Sequence, residues 1–308
     1  MESDTAPTAP TRGRVNLDYT YFPGCSVKGL TKNYEISALN ASKVLGLNLI
    51  ELDDWNCCGA AAYMAVYELR SHVLAARNLA LAEKYNRDIV AICAACYSTL
   101  EKTNRYIMAN KKLRDDINNA LDEIGLKYYG SLKIRHLLDV IVHDAGEKTV
   151  RAKVKMPLKG LKVAAYYGCQ IVRPFGNFDK ENPKAMEELL RWVGAEPVNY
   201  PLRARCCGAM QMITDEDVTL KLVESLLRVA SRSGADCIAT ACPLCHMNLE
   251  AYQNRVNSKF KTHYSIPTIY FTQLLGLAFG LPARTEVALG RELVPTDKIL
   301  TPYMTKSG

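Results

Sequence analysis

The sequence predicts an α/β protein built from two pseudo-symmetric, Rossmann-like βαβ halves, each a parallel sheet whose carboxyl edge carries a set of cysteines. Two observations predict it. Cysteines at 25, 57, 58, 93 and 96 recur at 169, 206, 207, 242 and 245. The last four of each set are offset by 149 positions and the first by 144, so the second copy holds five more residues between its first two cysteines. Within each copy, short β-rich runs alternate with stretches of helical period, the pattern of parallel strand–helix units.

The elements follow in order. In the first copy, Tyr19–Phe22 is a β-rich run ending near Cys25, Leu30–Leu45 has helical spacing, and Asn48–Leu52 is a second strand. Ala65–Lys84 has the period of one long amphipathic helix, Asp88–Cys93 is a strand and Tyr97–Ala109 a helix. The second copy repeats this with strand Lys162–Tyr167, helix Pro183–Val193, strand Pro197–Tyr200, helix Glu216–Ser233, strand Cys237–Thr240 and helix Leu244–Ala251. The apolar run at 266–281 is shorter than a membrane span and is interrupted by Thr268, Thr272 and Gln273, so it reads as a buried strand and helix. The expected division is a flexible tail at 1–16, one domain at 17–150, a second at 151–283 and a C-terminal tail at 284–308.

Composition excludes several classes. With 308 residues, 48% apolar and 23% charged, the chain is long enough to bury a core without disulfide staples. Its N-terminus has no apolar h-region, so the expected location is a reducing cytoplasm, where clustered cysteines bind metal or do redox work. The net charge of +7 concentrates around Lys102–Arg114 and Arg151–Lys162, with no interleaved aromatic surface, so no nucleic-acid partner is expected. A solvated face or the docking of an acidic partner explains these lysines and arginines equally. There is no glycine-rich nucleotide fingerprint and no P-loop.

The cysteine pattern carries the chemistry. Strand–helix order places Cys25, Cys57 and Cys93 just after strands, at the edge where open parallel sheets bind ligands. Helix N-termini there offer amide donors and a positive dipole end to thiolates. A structural zinc or an ordinary cubane cluster takes four ligands, leaving one cysteine of five unused in each copy. Five suggest either a spare thiol or a cluster in which one thiolate bridges irons. The adjacent pairs Cys57–Cys58 and Cys206–Cys207 can face one core only where the backbone bends sharply, which Gly59 and Gly208 permit. Gly24 and Gly168 allow close approach of the backbone to a bulky core.

Other residues are set aside. Cys242–His246 matches the C-x-x-C-H of haem attachment, but the first copy has Tyr97 where the haem ligand would stand and the repeat already employs both cysteines. His246 reads as a packed or hydrogen-bonding neighbour of the site that could also supply protons, the only candidate catalytic side chain. His72, His136, His143 and His263 read as surface or structural. Cys237 has no twin, since Asp88 stands at its repeat position, and reads as a small hydrophobe in a buried strand.

The pattern C-x31-CCG-x33-C-x2-C at 25–96, followed by C-x36-CCG-x33-C-x2-C at 169–245, resembles the paired cysteine-rich CCG domains of the heterodisulfide reductase B subunit. The stretches LAARNLALAEKYNRDIVAICAACYSTL, LKVAAYYGCQIVRP and ACPLCHMNLE look like that family too, as does the run at 266–281, and the likeness covers about residues 17–282. It implies an oxidoreductase with two noncubane [4Fe-4S] clusters facing each other across a substrate cavity. Carried over, the first would be held by Cys25, Cys57, Cys58, Cys93 and Cys96, and the second by Cys169, Cys206, Cys207, Cys242 and Cys245. The implied partners are a ferredoxin-like C subunit, a flavin-containing A subunit, and a disulfide or thiol substrate. The leading expectation is a protein that makes or breaks a sulfur–sulfur bond. Relatives with CCG domains also serve as electron relays of membrane-associated, succinate dehydrogenase-like enzymes, which would touch the bilayer through residues 266–282. In some, one domain holds zinc.

Overall fold

A computed structural model describes residues 17–60 and 62–304. The expected tail at 1–16 therefore lies outside the described residues. The first half runs β1 (Asp18–Phe22), α1 (Cys25–Lys28), α2 (Lys32–Leu45), β2 (Asn48–Glu51), α3 (Ala62–Val66), α4 (Glu68–Glu83), β3 (Ile89–Ala91), α5 (Ala94–Ala109), α6 (Lys111–Asp122) and β4 (Ile134–His136). Then α7 (Leu137–Val140), a π-helical turn (Ile141–Ala145) and α8 (Gly146–Lys153) lead across to the second half. That half runs β5 (Lys162–Tyr166), α9 (Ala185–Trp192), β6 (Glu196–Pro197), α10 (Glu216–Arg232), β7 (Cys237–Thr240), α11 (Pro243–Ala251), α12 (Gln253–Phe260), β8 (Thr268–Tyr270), α13 (Phe271–Ala278) and α14 (Asp297–Leu300).

The two sheets have one topology. Their orders are β2-β1-β3-β4 and β6-β5-β7-β8, and every pairing is parallel, with Thr20 between Ile50 and Ile89 and Ala165 beside Ala239. The chain leaves the central strand in one direction and returns on its other side. This makes β1/β3 and β5/β7 the switch points, where doubly wound sheets open a crevice beyond their carboxyl ends. The inner strands β1, β3, β5 and β7 are buried along almost their whole length, with helices over both faces.

Several elements differ from expectation. The helix read across Ala65–Lys84 is two helices, broken where Tyr67 leaves the helical region (φ −141°, ψ 76°); no glycine or proline marks the break. The strand read at Pro197–Tyr200 shrinks to Glu196–Pro197, and the Val198 N–H makes the last bond to the neighbouring strand, to the Val163 carbonyl at 2.9 Å. A fourth strand in the first half, β4, is too short to show a period. Helix α6 is also additional to the expected elements, although Asn110 caps it by accepting from the Leu113 N–H at 3.1 Å.

The halves share a core. One continuous apolar cluster joins Tyr19, Tyr34, Ala38 and Leu138 of the first half to Val163, Ile238, Leu274 and Leu277 of the second. A separate cluster, with Phe22, Leu79 and Leu100, fills the outer face of the first sheet. Helix α13 lies against α2, where Ser37 and Thr272 share a hydrogen bond of 2.7 Å. The run at 266–281 is thus the strand and helix expected, and Thr268–Phe279 is buried throughout. Residues 266–279 face the protein interior and so offer no apolar surface for contact with a bilayer. After α13 the chain folds back, burying Val287, Leu289 and Leu300. No helix among the described residues is long and apolar enough to cross a membrane.

Candidate metal centres

Each set of five cysteines gathers at the carboxyl edge of its own sheet. Cys25 opens α1 just past β1, Cys93 is the N-cap of α5 just past β3, and Cys96 lies in the first turn of α5. Cys57 and Cys58 lie on the loop between β2 and α3. The second set is built alike, with Cys169 past β5, Cys206 and Cys207 on the loop after β6, Cys242 the N-cap of α11, and Cys245 in its first turn behind Pro243. Both helices point their N-termini at the sulfurs, which favours thiolate.

The paired cysteines are set by the glycine after them. Gly59 and Gly208 both have φ +78°, a left-handed turn that other residues rarely adopt. Each is then pinned by a hydroxyl of the following helix: Ser71 donates to the Gly59 carbonyl at 2.8 Å, and Thr219 to that of Gly208 at 3.1 Å. Buried amides complete the clamp. Asn78 binds both backbone groups of Asn56 at 2.9 and 3.0 Å, and Asn248 donates to the Cys207 carbonyl at 2.9 Å. Tyr166, at the end of β5, donates to the Arg205 carbonyl at 2.8 Å, fixing the residue before Cys206.

The sulfurs meet in corresponding pairs. Cys58 and Cys96 are 3.4 Å apart, Cys207 and Cys245 3.5 Å, and Cys25 and Cys57 4.0 Å. Among the described residues no three metal-binding groups converge on one ion-sized point. Each set has a buried side, at Cys58, Cys93, Cys96 and Cys207, Cys242, Cys245, and a more open side, at Cys25, Cys57 and Cys169, Cys206. The thiols are mutually coupled. The neighbouring Cys169 thiol brings the Cys206 thiol down to about 6, and Cys57 lowers Cys58 in the same way.

The two sites adjoin. Cys93 and Cys242, the N-cap cysteines of α5 and α11, lie close enough across the halves for each to act on the other, which pushes the Cys93 thiol up and the Cys242 thiol down. Ala94 and Ala95 of α5 help to line the cavity over Cys169, Cys206, Cys207, Cys242 and Cys245. His136, at the end of β4, holds the junction. Its Nδ1 accepts from the Leu138 N–H at 3.1 Å, which leaves the proton on Nε2. That nitrogen donates to the carbonyls of Ile92 (3.0 Å) and Ala241 (3.1 Å), the residues before Cys93 and Cys242. Tyr34 adds a bond from its hydroxyl to the Ala241 carbonyl at 3.3 Å.

His136 therefore has more part in the site than its sequence context suggests. It ends a short strand, and nothing nearby marks it. His246 is buried and stacked on Tyr270 with centroids 4.2 Å apart, its Nδ1 3.5 Å from Glu250. Burial lowers it to about 4, so it sits neutral in the interior. His72 is buried against Thr103, His143 pairs with Asp139 at 2.7 Å, and His263 is exposed. Cys237 is fully buried in β7 opposite Val163, and burial pushes its thiol up.

The residues fit a bulky thiolate-held core. A Cβ added to Gly24 would stand 2.7 Å from the Cys96 sulfur, and one added to Gly168 2.9 Å from that of Cys245. Both positions must stay bare for the backbone to approach the ligand sulfurs. The donor set is all thiol, which suits iron–sulfur or zinc and not a hard cation.

Comparisons with known proteins place the chain among cysteine-rich relatives. Residues 19–101 and 163–250 match the family described as CCG, cysteine-rich domain. The chain is 33% identical to the 8-methylmenaquinol:fumarate reductase membrane anchor subunit of Wolinella succinogenes, over 92% of this chain and all of that one. It is 32% identical to the B subunit of the ferredoxin:CoB-CoM heterodisulfide reductase of Methanosarcina mazei, over 84% of this chain and 88% of that one. It is 31% identical to a protein of Archaeoglobus profundus described as like the heterodisulfide reductase B subunit, over 92% and 97%. A hypothetical protein from Helicobacter pylori has the same fold, with a TM-score of 0.73 and 14% identity over 91% of this chain, which spans about half of that longer one (52%).

Proposed function

The chain belongs to the cysteine-rich CCG family that includes the heterodisulfide reductase B subunit, and from that premise we propose that it is the component at which a sulfur–sulfur bond is made or broken. Family membership makes it an iron–sulfur oxidoreductase subunit working within a larger complex. The observation that carries the finer reading is that two complete five-thiol sets adjoin, with His136 bonded to the carbonyls just before both N-cap cysteines, Cys93 and Cys242. Splitting a disulfide takes two electrons, and two adjoining centres can each handle one.

In this reading Cys25, Cys57, Cys58, Cys93 and Cys96 hold one noncubane [4Fe-4S] cluster, and Cys169, Cys206, Cys207, Cys242 and Cys245 hold the other. When bound, the clusters would supply the two electrons that turn a disulfide into two thiolates. The chain itself does the positioning. Gly24 and Gly168 admit the core, Ser71, Thr219, Asn78 and Asn248 fix the doubled-cysteine loops, and His136 fixes the two N-cap cysteines relative to each other. The buried cysteines keep one side of each site dry, while Cys25, Cys57 and Cys206 leave the other open to substrate and to an electron-carrying partner. The proposed partners are a ferredoxin-like C subunit and a flavin-containing A subunit. The proposed units of duplication are residues 17–150 and 151–283.

An anaerobic count of iron and sulfide tests the cofactor, with about eight irons per chain expected for two four-iron clusters. A disulfide added to the reduced protein should produce a cluster-based paramagnetic species. The absence of any spectral response to disulfides and thiols would overturn the reading.

The Wolinella relative, matched over its whole length, favours a second reading, an electron-relay component of a membrane-associated dehydrogenase. Here the same centres pass electrons without binding sulfur. Co-purification with a dehydrogenase, in place of ferredoxin-like and flavin-containing proteins, would select it.

A further inference from the structure

Between the halves, beside the second centre, a cavity of about 330 Å³ opens along Cys169. One wall is the first half's α5, with Ser98, Thr99 and Lys102; the facing wall is the second half's 169–174 loop, with Gln170 and Arg173. Two cations line it and no carboxylate does. It shares Cys169, Gln170 and Met210 with the cavity over the second set of cysteines, so the two adjoin.

Both cations are paired with carboxylates that stand out in solvent. Lys102 lies 2.9 Å from Glu68, over the Tyr106 ring at 5.2 Å, and against the Met64 sulfur at 3.9 Å. Arg173 pairs with Glu181 and donates to the Ala204 carbonyl at 3.3 Å. Glu68 and Glu181 are 59% and 72% exposed. Exposed pairs of this kind contribute little, so an anion that brings its own hydrogen-bond acceptors can replace them.

The cavity also breaks the pseudo-symmetry. At the 149-residue offset Lys102 corresponds to Ala251, and at the 144-residue offset Arg173 corresponds to Gly29. The repeat thus has the cysteines twice and the two cations once, so a charged group is drawn to one side of the junction only.

We propose that Lys102 and Arg173 bind an anionic group of the substrate, such as a carboxylate, sulfonate or phosphate, and direct its sulfur toward the second centre. This rests on the reading that the substrate is a disulfide or thiol.

The test uses the anaerobically purified, cluster-containing protein and two thioethers that have no S–S bond to reduce, thiodipropionate with two carboxylates and uncharged thiodiglycol. Isothermal titration should show thiodipropionate binding, weakened about tenfold in each of Lys102→Gln and Arg173→Gln, the size of one lost charge-assisted contact. Lys102→Arg and Arg173→Lys should recover most of it, and added salt should weaken it. Ser98→Asp, which puts a carboxylate into the cavity and removes neither cation, should weaken it too. Iron content is measured on every variant. No binding by the wild type, or binding unchanged in both Gln variants and in Ser98→Asp, would overturn the inference. If thiodipropionate binds as described but no disulfide is reduced, the sulfur chemistry fails and the anion site stands. If disulfides are reduced with one KM whether charged or neutral, the anion site fails and the chemistry stands.

Discussion

Tyr34 and Tyr270 lie face to face across the boundary between the halves, their ring centroids 4.0 Å apart and their planes 3° from parallel. Tyr34 comes from α2 and Tyr270 from the end of β8, and His246 stacks on Tyr270 at 4.2 Å. This pile of three rings sits in the apolar cluster that spans the halves, so it ties the helix that follows Cys25 to the helix that holds Cys245.

Tyr34→Ala should accordingly destabilise the whole chain by about 3–5 kcal/mol, as the loss of a buried aromatic does. Tyr34→Phe keeps the ring and gives up only the 3.3 Å bond to Ala241, for about 0.5–1.5 kcal/mol. Denaturant unfolding checks both, and a single transition is expected because the core is continuous. Two separated transitions would show the halves to be independent.

His136 predicts an acid-sensitive junction. Burial lowers it to about 4 from its ordinary 6.5. A histidine depressed by folding stabilises the native state above its unfolded value, and that contribution drains away as pH falls from 6.5 toward 4. The full span is about 3 kcal/mol. His136→Gln keeps an N–H donor without titrating, so its stability should fall less than the wild type's between pH 7 and 5. The buried His246 titrates equally in both proteins and drops out of the comparison. Parallel pH profiles would remove His136 as the cause.

Much of this was legible in the sequence. The 149-residue repeat gave the two halves, and strand–helix alternation put the cysteines at the sheet edges, because ligands spaced by whole βαβ units return to one edge. Gly59 and Gly208 announced the turns that the structure finds at φ +78°. The junction was not legible. His136 acts through backbone carbonyls on two different sheets, and Lys102 faces Arg173 only once the halves have docked. Neither relationship has a local pattern. The break at Tyr67 was hidden because apolar periodicity runs straight through it.

Cys237 and Cys207 test the division between core and ligand. Cys237→Ala should keep the full iron content and lose about 1 kcal/mol, since only a buried sulfur contact goes. Cys207→Ala should strip the second centre and spare most of the first, because each half supplies its own five thiols and a lost thiolate exposes a metal and loosens its loop. The reverse pattern of iron loss would mean that the second set is wrongly assigned.

Glu250 carries the last prediction. Its side chain is 5% exposed, 3.5 Å from His246, and accepts from the Val294 N–H at 3.3 Å. Burial raises it to about 7 from the ordinary 4.5, with the nearby Glu292 adding to the effect and the backbone donors opposing it. His246 is neutral at that pH and offers no compensating charge. A carboxyl raised by folding holds its proton in the native state while the unfolded chain has released it, so stability falls as pH rises from about 4.5 through 7. Above pH 7 the buried charge costs on the order of 2–3 kcal/mol. Glu250→Gln keeps the shape and an acceptor for Val294 and never ionises. It should be near neutral at pH 5 and stabilise the protein at pH 8, raising the denaturation midpoint there. If the variant is equally or less stable than the wild type at pH 8, Glu250 is ionised at no cost and its carboxylate has a partner in solution.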